Sequence, residues 1–487
     1  MQPCYDFIII GCGITGSSIA LELSKYQTKI LILESSNDVS MGTTKANSGI
    51  IHGGYDPKPG TLMAKLNIEG SKLTKELAPI LNFHYNQVGS LVVGSTEEDH
   101  QKINELFENG IASKISGLRL LKTKKEVHSF EPNLNPDFDY ALFAPSAAVV
   151  APWEECLAFA QTAVGNGAKI TLNARVTNIE RRDDKYLVTA AKKTYLGKNV
   201  INCAGTYADI VYKLALGEKA DKSFEIIPCK GEYYLLDKNQ GDLVKHIIFQ
   251  TPSKLGKGVL VAPTIHHNLI VGPNADYEVS SRNDTSTVQK NIKYVAQAAV
   301  RSVPQINYRE NIRNFSGIRA TLKDFDDFLI EESPYLKNFY NFAGIKSPGL
   351  SCGPAFGKEL IRLMGNKFTY NLNKKFKYYP LPKYFKELTE KEKIAIIKKD
   401  NRFGRIVCRC ESITEGEIVR AMHSIIPGRT IDGIKRRTNA GMGRCQGGFC
   451  GPKVFELIKK EFNLKAEKVL SDRNGSYVVV SRTKGEK

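Results

Sequence analysis

At 487 residues the chain exceeds one ordinary hydrophobic core, and its 42% hydrophobic residues are enough for two or three domains. Lys and Arg outnumber Asp and Glu by 69 to 51, and this charge of +18 suits a nucleic acid, an anionic membrane surface or an acidic substrate without choosing among them. No apolar run reaches the roughly 18 residues of a membrane span and the N-terminus has no basic leader, so the expectation is a cytoplasmic protein whose membrane contact, if any, is peripheral.

Residues 5–34 read as strand, turn, helix and strand: YDFIII, GCGITG, SSIALELSKY and TKILILE. Both strands are unbroken apolar runs, as parallel strands covered on both faces must be, and the unit is βαβ. A long helix through TLMAKLNIEGSKLTKELAPIL and the strand-like VGSLVVG follow, then a helix over 153–163 and several strands within 168–205. The segments EYYLL, HIIFQ, GVLVAPT and NLIVG predict an antiparallel sheet between about 226 and 275, ahead of a helix near 287–301. NFYNFAGIKSPGLSCGPAFGKELIRLMG is again strand, Gly/Pro turn and helix. Residues 366–402, basic and punctuated by proline, read as a linker with one surface helix, and 403–487 as a small domain.

The pattern Gly11-x-Gly13-x-x-Gly16 follows the first strand and opens the helix, and Glu34 ends the second strand 18 residues beyond Gly16. Gly11 makes the tight turn, Gly13 lets a pyrophosphate approach the backbone, and Gly16 packs helix on sheet. The helix N-terminus offers free N–H groups to the phosphates, and Glu34 can accept from both hydroxyls of an unphosphorylated ribose. The pattern itself fits FAD and NAD alike.

With VINCAGTYADIV (200–211) and FAGIKSPGLSCGP (342–354), this unit resembles the FAD-dependent amine and hydroxy-acid oxidoreductases of the D-amino-acid oxidase and glycerol-3-phosphate dehydrogenase superfamily, over roughly residues 5–365. The resemblance implies FAD as cofactor. It places Ala204 and Gly205 beside the pyrophosphate, and Gly349 and Leu350 in a turn leading a helix, with its N-terminus near Gly353, toward the flavin. Within the superfamily, NSGIIHGGYDPKPGTLMAK (47–65) looks most like the glycerol-3-phosphate oxidase and dehydrogenase branch, with L-2-hydroxyglutarate oxidases as near relatives.

That branch implies His52 as the base that takes a substrate hydroxyl proton, a task suited to imidazole's near-neutral pKa; a histidine satisfied in a turn is the alternative. It implies Arg319, in NFSGIRAT, as the grip on the anionic end of the substrate, since guanidinium can bind phosphate or carboxylate through two parallel bonds. Lys257 would add a second positive charge, Ser347 would complete the pocket, and Ser48 would bond the flavin or orient the substrate. Strand alternation leaves Tyr233 and Tyr234 equal candidates for facing the pocket.

Four of the ten cysteines crowd into 408–450, as Cys408-x-Cys410 and, after 34 intervening residues, Cys445-x4-Cys450. Four thiolates on two loops can hold a [2Fe–2S] cluster or one zinc, or can form disulfides, although zinc sites more often pair cysteines as C-x2-C. Arg409, Lys435 and Arg444 would offset the charge of a cluster. The segment is similar to bacterioferritin-associated-ferredoxin-like [2Fe–2S] domains, which implies Cys408, Cys410, Cys445 and Cys450 as the ligands.

The expected architecture is therefore α/β and α+β. It comprises a discontinuous Rossmann-like FAD-binding domain (1–85, 146–225, 311–365), an antiparallel-sheet substrate domain (86–145, 226–310), the basic linker (366–402) and a small, mostly helical iron–sulfur domain (403–487). The expected activity is oxidation of sn-glycerol 3-phosphate to dihydroxyacetone phosphate by hydride transfer to flavin N5. Electrons would then pass through the cluster to an acceptor protein or quinone-linked subunit. The alternatives are an L-2-hydroxyglutarate or amino-acid dehydrogenase on the same fold, or a non-catalytic electron-transfer flavoprotein subunit. Nucleic acid is not an expected partner, because no basic and aromatic platform accompanies the charge.

Overall fold

The strand Cys4–Ile10 explains the first layer. Phe7 and Ile9 point into one apolar core and Tyr5, Ile8 and Ile10 into another, so the strand is covered on both faces. Each such fully buried side chain contributes about 1.5–3 kcal/mol of transfer free energy. The computed structural model, which describes residues 3–251 and 258–481, continues this strand into a parallel array. Lys169–Thr171, Ile30–Leu33, Cys4–Ile10, the end of Lys193–Asn202, and Phe339–Ala343 lie side by side in that order. The antiparallel strands Val176–Arg182, Lys185–Ala190 and Leu329–Glu332 complete the sheet. Helices Ile14–Ser24, Pro152–Gly165 and Phe356–Met364 cover one face. This is the doubly wound arrangement expected of the βαβ start.

A second large sheet runs Asn311–Leu322, Ile226–Leu236, Leu269–Gly272, Leu260–Pro263, Ile247–Gln250, Ser90–Gly94, Tyr140–Ala144, Arg119–Leu121. It is antiparallel except where Ile247–Gln250 pairs with Ser90–Gly94. Asn311–Leu322 differs from its expected place in the dinucleotide domain: it pairs along the length of Ile226–Leu236, so it belongs to this sheet. The chain rejoins the first sheet only at Leu329–Glu332. Helix Glu97–Ala112, not evident from periodicity, buries only Ile103, Leu106 and Gly110.

Residues 366–402 form a strap rather than a bare connection. Gln27 N donates to Asn371 O and Leu381 N to Leu81 O, while the buried Tyr384 hydroxyl donates to Glu154 Oε1 at 2.7 Å. Helix Glu390–Lys399 buries none of its residues and is the expected surface helix. Beyond it, Ile406–Cys408 and Ile413–Thr414 pair, and helices Glu415–Met422, Ile431–Thr438 and Gly451–Glu461 close around a separate apolar core. Among the described residues, no helix is long and apolar enough to cross a membrane.

Candidate functional site

The two sheets and the C-terminal module enclose one cavity of about 1600 Å³. The glycine turn forms its floor. A methyl group at Gly16 would lie 2.0 Å from Gly11 O, and one at Gly11, where φ is +103°, would lie 2.5 Å from Cys203 O. Both positions therefore accept only glycine. Helix Ile14–Ser24 starts at Gly13 with no side-chain cap, and Thr44 Oγ1 accepts from Ile14 N at 3.0 Å. The remaining first-turn N–H groups have no intrahelical acceptor and suit a phosphate. Glu34 Oε2 accepts from Cys12 N at 2.7 Å and Oε1 from Ser36 N at 2.8 Å. Oε1 also accepts from Ser35 Oγ at 3.2 Å, so the carboxylate braces the turn while Oε2 keeps a lone pair for a ribose. Ala204, Gly205, Gly349 and Leu350 line the same cavity, and the helical run expected near Gly353 begins earlier, at Gly349.

His52 follows the short strand Ile50–Ile51 and is held from several directions. Its N–H donates to Ser351 Oγ at 2.8 Å, and its carbonyl accepts from Ser71 Oγ at 3.1 Å. The ring lies against Phe249 with centroids 5.7 Å apart and planes at 23°, and Nε2 is 3.3 Å from Ser347 Oγ. Arg319 projects from Asn311–Leu322 opposite Cys229; its Nη2 donates to Asn274 O at 2.8 Å and its Nη1 to Cys229 Sγ at 3.4 Å. His52, Ser48, Arg319 and Ser347 all line the cavity. Lys257 lies outside the described residues. Alternation resolves the tyrosine pair: Tyr233 lines the cavity and stacks on Phe315 at 4.8 Å, while Tyr234 packs against Tyr308 in another core. Sequence reasoning missed Phe249, whose strand was recognised but whose stack was not, and Lys346, which lines the cavity and pairs with Asp326.

The four clustered cysteines meet as two pairs, each taking one thiol from each loop. Cys410 Sγ is 3.7 Å from Cys445 Sγ, and Cys408 is hydrogen-bonded to Cys450. The Cys450 contact and the backbone N–H groups of Gly441 and Glu411 bring the Cys408 thiol down to about 6, into the thiolate range at neutral pH. Cys450 caps helix Gly451–Glu461, whose positive end favours bound anionic sulfur. Two thiolates on each of two irons match this pairing.

Residues 6–363 match the family described as FAD dependent oxidoreductase, and residues 406–460 match the BFD-like [2Fe-2S] binding domain. The chain belongs to the FAD-dependent oxidoreductase family. It is 44% identical to a glycerol 3-phosphate dehydrogenase of Caloramator mitchellensis over 99% of both chains. A glycerol 3-phosphate oxidase of Mycoplasma genitalium is 34% identical over 76% of this chain and 96% of its own. Among solved structures, dithionite-reduced L-alpha-glycerophosphate oxidase of Mycoplasma pneumoniae with FAD bound superposes with a TM-score of 0.74 at 31% identity, covering 78% of this chain and 100% of that one.

In this FAD-dependent oxidoreductase the [2Fe–2S] module is seated on the flavin cavity. Met442 and Gln446, from the loop that carries Cys445, line the cavity wall. Asp38 is the central clamp. Its Oδ1 and Oδ2 each accept from Arg437 at 2.8 Å, and Oδ2 also accepts from Arg436 at 3.0 Å. Arg436 continues to Asp472 at 2.8 Å, and Asp472 pairs with Lys45 beside the cavity. The strap adds a second tie, because His84 bonds Glu154 at 2.7 Å and Glu387 at 2.9 Å. Burial opposes the charge on His84, but the two carboxylates raise its pKa to about 10.

Proposed function

We propose that this enzyme oxidises sn-glycerol 3-phosphate to dihydroxyacetone phosphate and passes the electrons through its [2Fe–2S] cluster to an external acceptor. The observation that carries the reading is the convergence of His52, Ser347 and Arg319 on the cavity floored by the dinucleotide turn. When bound, FAD supplies a two-electron acceptor and the cluster a one-electron one.

His52 Nε2 takes the proton of the substrate's secondary hydroxyl, and Ser347, 3.3 Å away, orients that hydroxyl. The two backbone hydrogen bonds fix the main chain of His52, and the Phe249 face and Ser347 hold its ring, so the imidazole is oriented before substrate arrives. Arg319 grips the phosphate, with Lys346 adding positive charge beside Ser347; Lys257 is assigned a like role from its sequence context. Ser48, which lines the same cavity, bonds the flavin or orients the substrate. Gly11 and Gly13 receive the pyrophosphate while Gly16 holds the helix on the sheet behind them, Glu34 takes the ribose, and Ala204, Gly205, Gly349 and Leu350 the rest of FAD.

The relatives support both halves of the reading. The relative named a dehydrogenase matches this chain end to end, whereas the relative named an oxidase is matched nearly whole by three quarters of it. The remainder is about the size of the strap and the cysteine module together, and the module gives electrons an exit other than oxygen. The test is an initial-rate comparison of glycerol 3-phosphate, L-2-hydroxyglutarate and glycerol with a dye acceptor, for wild type and for His52→Asn. Turnover confined to glycerol 3-phosphate and lost in the variant is expected. Faster oxidation of L-2-hydroxyglutarate would overturn the substrate assignment.

A further inference from the structure

The cysteine loops have an inner and an outer side. Met442 and Gln446 line the flavin cavity, and Cys408 and Cys450 are buried. Three residues beyond Gln446 the chain has turned outward: Phe449 is 84% exposed, and Cys410 is also exposed. A bare aromatic ring of this size loses the burial free energy that an aromatic side chain normally contributes, and it sits between two of the cluster's own ligands.

The exposed charges on the segments that carry the cluster ligands are of one sign. On segments 409–413 and 441–453, the second running into helix Gly451–Glu461, the exposed charged residues are Arg409, Arg444 and Lys453. The one carboxylate there, Glu411, is buried and paired with Lys238 and Lys386. Arg444, although exposed, is paired with Asp237 and Glu310, which leaves Arg409 and Lys453 to supply the net positive charge of these segments. The nearest acid along the following helix, Glu456, is paired with Lys459.

We propose that this rim, Phe449 with Arg409 and Lys453, is the docking face for a small acidic one-electron carrier protein. The proposal rests on the reading that electrons leave through the cluster, and it names where and to what kind of partner. An apolar centre ringed by like charges is the composition of a transient redox interface, in which charge steers the encounter and a small contact area lets the partners separate. The two electrons of one substrate molecule leave in two encounters, each reducing one oxidised carrier by one electron, and the two protons go to solvent.

The test uses the holoenzyme, anaerobic, with two probe carriers: acidic plastocyanin and basic cytochrome c. Enzyme is reduced in parallel by glycerol 3-phosphate and by dithionite with the excess removed. Failure of the substrate alone therefore counts against the functional reading and leaves the docking face measurable. Plastocyanin is expected to be reduced at least about tenfold faster than cytochrome c at low ionic strength, with the difference shrinking in high salt. Lys453→Glu and Phe449→Ser should each lower kcat/KM for plastocyanin by about tenfold while leaving the visible spectrum and dye reduction unchanged. Equal rates for the two carriers, or variants that reduce plastocyanin as wild type does, would overturn the proposal.

Discussion

Replacing Asp38 with Asn tests whether the [2Fe–2S] module is held on the flavin domain by one buried carboxylate. The Asp38 side chain is 5% exposed and those of Arg436 and Arg437 are 8% and 4%, so the group lies out of water and salt screening is weak. Removing one partner of a buried ion pair costs about 3–5 kcal/mol, since two guanidinium groups are left without their shared anion. At 1.4 kcal/mol per factor of ten, the undocked population should rise by a factor of about a hundred to several thousand. The other cross-domain pairs, such as Lys238 with Glu411 and Arg444 with Asp237, have partly exposed partners and are worth at most about 1 kcal/mol each. Hydrogen exchange across Ile431–Thr438 in the holoenzyme should accelerate accordingly. After mixing with substrate, cluster bleaching should lag while flavin bleaching keeps its wild-type rate. Wild-type exchange in that helix would show that the exposed pairs and apolar contacts suffice, and the clamp argument would fail.

Gly16→Ala should abolish stable FAD binding, because its methyl group meets backbone that cannot yield; purified variant with full flavin absorbance would refute this. Arg319→Ala should raise KM for glycerol 3-phosphate by about a hundredfold or more, the worth of a charge-assisted bidentate contact, and a change in kcat alone would contradict a binding role. The strap makes a pH prediction. His84 binds its proton more tightly folded, at about 10, than at its ordinary 6.5, so its stabilisation is complete below pH 6.5 and fades as pH rises toward 10. The melting temperature should fall across that window in wild type and less steeply in His84→Gln; parallel profiles would refute it.

The legible parts of the sequence were those whose signal is local. Cys4–Ile10 is an unbroken apolar run because both its faces are covered, and the glycine spacing of the turn records backbone clearances of 2.0 and 2.5 Å. The four clustered thiols stood out as two short loops, although their pairing across the loops did not. What escaped was set by distant partners. Asp38 and Arg436 are 398 positions apart, and nothing near either marks the pair. Asn311–Leu322 went to the second sheet because of its register with Ile226–Leu236, which strand propensity does not encode. Glu97–Ala112 is too polar for its narrow apolar stripe to stand out, and Phe249 reads as one more strand aromatic until its ring is found on His52.

The most direct test of the central claim is an anaerobic stopped-flow experiment in which purified holoenzyme meets glycerol 3-phosphate and flavin and cluster absorbance are followed together. The account predicts that flavin bleaches first and the cluster bands follow, with both slowed by orders of magnitude in His52→Asn protein that retains FAD. Rapid flavin bleaching with a cluster that stays oxidised would contradict the electron route, and no bleaching of either in fully loaded enzyme would contradict the assigned reaction.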